Sequence, residues 1–101
     1  MVDYEKQKAI WIVCACNTNE DGVTIARVFG TMEQIKKYML SWVQIDKEND
    51  EECYEYGAET VEDIKVSPDF ELYAYSTFSH YHADYTAKPY EELNLEYADE
   101  L

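Results

Sequence analysis

The sequence predicts an α+β fold: an antiparallel sheet of about four strands in ββα-ββ order, with one main helix packed on one face. Three observations carry this. Ala9 to Cys16 is a continuous apolar run too short for a comfortable helix and rich in β-formers. Met32, Ile35, Met39, Trp42 and Val43 recur at helical spacing. Two later stretches, 71–78 and 80–86, alternate with the period of a strand. The 101 residues suit one domain spanning 1–101.

Each element has a local reason. The run Ala9–Cys16 reads as a strand buried on both faces. Asn17 to Gly22 is turn chemistry, and Asp21-Gly22 supplies a positive-φ option. Val23 to Phe29 follows as a second strand, antiparallel to the first, with Val23, Ile25, Arg27 and Phe29 alternating against Thr24, Ala26 and Val28. Thr31 reads as an N-cap and Gln34 as its capping-box partner. The helix they open is expected to end near Asp46, with its Met and Trp stripe in the core. Asp46 to Glu55 reads as a solvated acidic loop or a helix extension. Thr60 caps a short turn through Val61 and Ile64. In the third strand Leu72, Ala74, Ser76 and Phe78 oppose Tyr73, Tyr75 and Thr77. In the fourth His80, His82 and Asp84 oppose Tyr81, Ala83 and Tyr85, with Ser79-His80 as the turn between the two. Residues 88–101 read as a last helix, opened by Pro89 with Tyr90, Leu93, Tyr97 and Leu101 on one stripe, or equally as a frayed acidic tail.

Charge divides the chain. There are 22 Asp and Glu against 8 Lys and Arg, a formal charge of -14. Residues 1–45 balance: Asp3, Glu5, Glu20, Asp21 and Glu33 against Lys6, Lys8, Arg27, Lys36 and Lys37. Beyond them only Lys47, Lys65 and Lys88 oppose the remaining acids, so the whole excess lies in the second half, with eight of the ten tyrosines. This excludes direct electrostatic binding to nucleic acid or to anionic lipid. No apolar run is long enough for a membrane span, and the mixed-charge start is not a secretory signal. Three cysteines, Cys14, Cys16 and Cys53, argue against a disulfide framework. Cys14 and Cys16 read as reduced, buried small hydrophobes of a cytoplasmic protein.

Candidate chemistry is sparse. Asp46, Glu48, Asp50 and Glu52 alternate like calcium-loop ligands, but Glu51 stands where that loop needs glycine and Gly57 where it needs a bidentate glutamate. His80, His82 and Asp84 have zinc-ligand chemistry on one strand face, although a polar strand end explains them as well. No nucleophile elbow or glycine-rich phosphate loop occurs, so neither an enzyme nor a cofactor is expected.

Gly57-Ala-Glu-Thr-Val, Leu72-Tyr-Ala-Tyr and Tyr81-His-Ala-Asp-Tyr-Thr-Ala87 resemble segments of small proteins from Gram-positive bacterial mobile elements and phages. No residue role carries over from that resemblance. It implies a setting in which small acidic inhibitors of host defence, of anti-CRISPR or anti-restriction type, are common. The expected function is therefore a non-enzymatic binding protein that mimics DNA and occupies a basic nucleic-acid-binding cleft of a partner protein. The expected contact residues are Asp50, Glu51, Glu52, Tyr54, Glu55 and Tyr56, with Glu59, Glu62 and Asp63 behind them. The competing expectation is an accessory homodimer, joined through tyrosines, whose acids only confer solubility.

Overall fold

The computed structural model describes residues 3–19, 22–90 and 99–101. Strands β1 (Ala9–Asn17) and β2 (Val23–Gly30) form the expected antiparallel hairpin, with Cys16 opposite Val23 and Ala9 opposite Gly30. Gly22 takes φ 95° in the turn between them, a conformation that costs glycine little. Helix α1 (Met32–Asn49) opens on the capping box: the Gln34 amide N–H donates to Thr31 Oγ1, and the Thr31 N–H donates to Gln34 Oε1 at 2.9 Å. Strand β3 (Tyr54–Gly57), a 3₁₀ turn (Val61–Asp63) and the two-residue β4 (Lys65–Val66) follow. Then come β5 (Leu72–Phe78), β6 (His82–Tyr90) and β7 (Asp99–Glu100).

The sheet runs in the order β3-β5-β6-β1-β2-β7, with β4 paired to β5. All pairings are antiparallel except β2 with β7, which is parallel. The α+β class and a main helix over a largely antiparallel sheet are as expected. The strand number and order are not: β3, β4 and β7 add to the expected four. Each of these is too short for alternation to register. β1 lies between β2 and β6, so a strand from the start of the chain sits beside one from residues 82–90.

α1 covers one face. Its buried stripe is Met32, Ile35, Met39 and Val43. Against it pack Trp11 and Val13 of β1, Val28 of β2, and the inward alternates of β5 and β6, among them Leu72, Phe78 and Tyr85. Burying such a layer is the main driving force for folding. Trp42 is half-buried, not central. The opposite sheet face carries no helix among the described residues. Tyr73, Tyr75, His82 and Asp84 lie on it, with Cys14, Cys16, Val23 and Ile25 farther along.

Several expectations need correcting. α1 continues three residues past Asp46, so of the stretch 46–55 the helix-extension reading holds for 46–49, the loop reading for the turn 50–53, and neither for Tyr54 and Glu55, which belong to β3. β1 is buried on both faces only at its start; Cys16 is exposed because the uncovered face receives it. His80 belongs to the β5–β6 turn, closed by the Phe78 N–H donating to the Tyr81 carbonyl at 2.9 Å, so it does not share a strand with His82. Residues 88–90 extend β6 and do not start a helix. Pro89 is accommodated there because β6 has run past the end of β5, whose pairing stops at Leu72 opposite Ala87. Leu93 and Tyr97 of the expected last stripe lie outside the described residues. Leu101 returns to the sheet: its N–H donates to the Phe29 carbonyl at 2.8 Å, and Gln34 Nε2 donates to its carbonyl oxygen at 3.0 Å.

Gly57 marks a close approach. A Cβ added there would lie 2.8 Å from Ser76 Cα, a backbone atom that cannot swing away. Gly57→Ala is therefore expected to destabilise the fold by about 1–3 kcal/mol, read as a lower urea midpoint at unchanged slope. An unshifted midpoint would show that β3 can move off β5.

Candidate anionic interface and its tyrosine scaffold

Residues 46–63 hold nine acids (Asp46, Glu48, Asp50, Glu51, Glu52, Glu55, Glu59, Glu62 and Asp63) and one cation, Lys47. They form the last turn of α1, the turn Asp50–Cys53, edge strand β3 and the 3₁₀ turn. Several contacts tie this stretch together. The Tyr54 and Cys53 N–H groups donate to the Asp50 carbonyl, and Ser79 N–H donates to the Cys53 carbonyl. Lys47 Nζ lies 3.7 Å from Glu59 Oε1 and 4.7 Å from the centre of the Tyr54 ring. The Asp63 carboxylate accepts from the Glu59 and Thr60 N–H groups, both at 2.9 Å. These two backbone donors hold its carboxyl below the usual range.

The expected contact residues divide into three groups. Glu51, Glu52, Glu55, Glu59, Glu62 and Asp63 are exposed along this edge. Asp50 and Tyr54 are half-buried and serve the fold: Tyr54 meets Phe78 edge-to-face at 5.5 Å. The Tyr54 hydroxyl is buried without a hydrogen-bond partner among the described residues. Burial pushes its pKa up, and the charges of Glu59 and Asp63 add to the rise. Tyr56 is 55% exposed but belongs to the other side of the sheet. The register explains this. Tyr54 opposes Phe78 and Tyr56 opposes Thr77, so Glu55 is the extra residue of a bulge. Without the bulge the two tyrosines would share a face. With it, Tyr56 turns to meet Tyr75 edge-to-face at 6.1 Å.

Carboxylates nearer the core are held by tyrosines. Tyr85, fully buried on β6, donates to Asp46 Oδ2, and its oxygen accepts from the buried Ser76 hydroxyl at 3.0 Å. Tyr81, just before β6, donates to Asp50 Oδ2. Asp46 and Asp50 are one helical turn apart, so the two bonds pin the end of α1 to the sheet. On the uncovered face Tyr73 donates to Asp84 Oδ1 at 2.5 Å. The hydrogen bond to Asp84 and partial burial push the Tyr73 pKa up to about 12. Tyr81 and Tyr85 are raised as well, first by burial and then by their aspartates.

His82 also meets Asp84, through Nε2 at 3.0 Å, while Nδ1 contacts Thr77 Oγ1 at 3.2 Å and the ring stacks on Tyr75 at 5.6 Å. The pair is engaged in side-chain bonding, and His80 lies apart on the turn. Among the described residues no group of three His, Cys, Asp or Glu is placed to hold a metal ion. None of the described helices is long and apolar enough to cross a membrane. The tyrosine–aspartate pairs were missed in the sequence. The available signal was aspartates near a helix C-terminus, where the macrodipole disfavours them unless a donor is at hand.

Comparison with protein-family models, with curated proteins and with solved structures finds no match.

Two outcomes follow from the scaffold. Tyr85→Phe removes the donor to a half-buried carboxylate and is expected to cost on the order of 1–3 kcal/mol in urea unfolding. A cost near zero would mean that Asp46 is satisfied without it. Alkaline pH acts on the same bonds. Tyrosines raised in the folded state bind protons that the unfolded chain releases above its ordinary value of 10. Their contribution is complete below pH 10; that of Tyr73 is lost as pH rises through 12, and those of Tyr81 and Tyr85 at higher pH still. Tyrosinate absorbance and circular dichroism should therefore change together over that range. Titration of all tyrosines near 10 with the fold retained would contradict the arrangement.

Proposed function

We propose that this chain is a non-enzymatic binding protein whose exposed acidic edge occupies a basic, nucleic-acid-binding surface on a partner protein. The observation that supports the reading is the run Glu51, Glu52, Glu55, Glu59, Glu62 and Asp63, exposed on consecutive elements with Lys47 as the one cation in the stretch. The magnitude is adequate. A charge of -14 over a longest dimension of 43 Å averages one charge per ~3 Å, close to the 3.4 Å spacing along one strand of duplex DNA. The acid excess of the second half raises the local density above that average. Carboxylates on β3 and in the turn before it reach solvent on short side chains, as phosphates do. The resemblance to mobile-element proteins directs the choice of partner to host-defence nucleases, namely CRISPR effectors and restriction enzymes.

Binding of this kind is steered by charge and weakens with salt. The test is inhibition of DNA binding by purified effectors and restriction enzymes across a range of ionic strength. Inhibition that fades steeply with added salt is expected. Glu51→Lys, Glu52→Lys and Glu55→Lys together should abolish it and leave the circular dichroism spectrum unchanged. A triple variant that inhibits as before would remove this edge from the interface. Failure to inhibit any such enzyme, with a dimer by sedimentation, would favour the accessory homodimer instead.

A further inference from the structure

A cavity of about 470 Å³ opens between the C-terminal half of α1 and the turn end of the β1–β2 hairpin. That volume falls within the ~300–1,000 Å³ of small-ligand sites. Trp42 and Ile45 of the helix, Ala15 of β1 and Ala83 of β6 give it apolar walls, and Asn17, Thr24, Asp46 and Tyr85 supply polar groups. Among the described residues no lysine or arginine lines it. The Tyr85 bond engages Asp46 Oδ2, which leaves Oδ1 as a further acceptor.

Position in the helix explains the grouping. Trp42 and Asp46 are four residues apart and project from one side of α1, so an indole and a carboxylate border the same space. That side chain pair suits one ligand chemistry. A cation gains a charge-assisted hydrogen bond from the carboxylate and attraction to the indole face. An anion would meet Asp46 and the negative end of the helix dipole. A neutral polar molecule would leave the carboxylate charge unanswered.

We propose that this cavity binds an organic cation: an alkylammonium or alkylguanidinium group on a short apolar body. A free amine and a lysine or arginine side chain of a partner share this chemistry. The site is distinct from the edge that carries the proposed function, and it stands or falls separately.

The experiment titrates the protein with n-butylammonium, n-butylguanidinium, N-acetyl-arginine N-methylamide and the neutral n-pentanol, following the indole N–H resonances. Trp42 should shift with the cations, and the fully buried Trp11 should not. Asp46→Asn keeps an acceptor for Tyr85 and removes the charge; it should weaken the cations at least tenfold and leave n-pentanol unaffected. Trp42→Leu, which leaves the Tyr85 bond in place, should weaken them severalfold. Stronger binding of the arginine amide than of n-butylguanidinium would identify a partner's side chain as the source, and the reverse a free amine. The Glu51, Glu52, Glu55 charge-reversed protein should bind the cations within twofold of the unmodified protein, so loss of the edge interface and loss of the cavity are told apart. Pentanol binding as tightly as the cations, or cation binding indifferent to both Asp46→Asn and Trp42→Leu, would overturn the proposal.

Discussion

Carboxylates set into the seam between helix and sheet need hydrogen-bond donors, and in this chain phenol hydroxyls supply them. Asp46 and Asp50 sit where the helix dipole and partial desolvation both oppose a negative charge. A lysine or arginine is the ordinary answer, but the second half of the chain has three lysines and no arginine. Tyr85 and Tyr81 perform the task instead, and Tyr73 does so for Asp84 across the sheet. A phenol donates without cancelling the charge it binds. The protein thereby keeps its net charge and still anchors its helix.

That arrangement connects composition to surface. Ten tyrosines beside an excess of acids look like a contact patch when read along the chain. In three dimensions several of them are fastenings, each turned toward a carboxylate or a ring. Tyr54 packs on Phe78, and Tyr81 stacks on the same ring at 4.4 Å. What remains at the edge is mostly glutamate. The edge strand gains from this too, since a bulge and exposed like charges discourage pairing with another chain. Self-repulsion among those charges opposes folding, and the tyrosine bonds and the buried layer under α1 act against it.

Much of the fold was legible because the long elements carry long patterns. The β1–β2 hairpin, the capped helix and the alternation of 72–78 all have several repeats of their period. Short pieces do not: β4 and β7 have two residues each, and their pairing partners lie elsewhere in the chain. The apolar stripe places the helix end too early because Lys47, Glu48 and Asn49 face solvent or its margin and contribute no apolar beat, although Lys47 and Glu48 are sound helix formers. The acidic edge could be located from charge counting. The separation of Tyr54 from Tyr56 could not, because one inserted residue at Glu55 decides it and alternation alone predicts the opposite. Asp46 reads along the chain with the calcium-like acids; its hydrogen-bond partner, Tyr85, comes from β6, thirty-nine residues on.

The adjacency of β1 and β6 has a bearing on how the molecule is made. Ile10 lies beside Tyr90, so β1 gains the whole of its second neighbour only when eighty further residues have left the ribosome. Until then the early hairpin travels with one flank of amide and carbonyl groups unmatched. Closing so distant a contact is slow compared with local pairing. For that interval the nascent chain depends on α1, the first large element to emerge after the hairpin, to shield its apolar side.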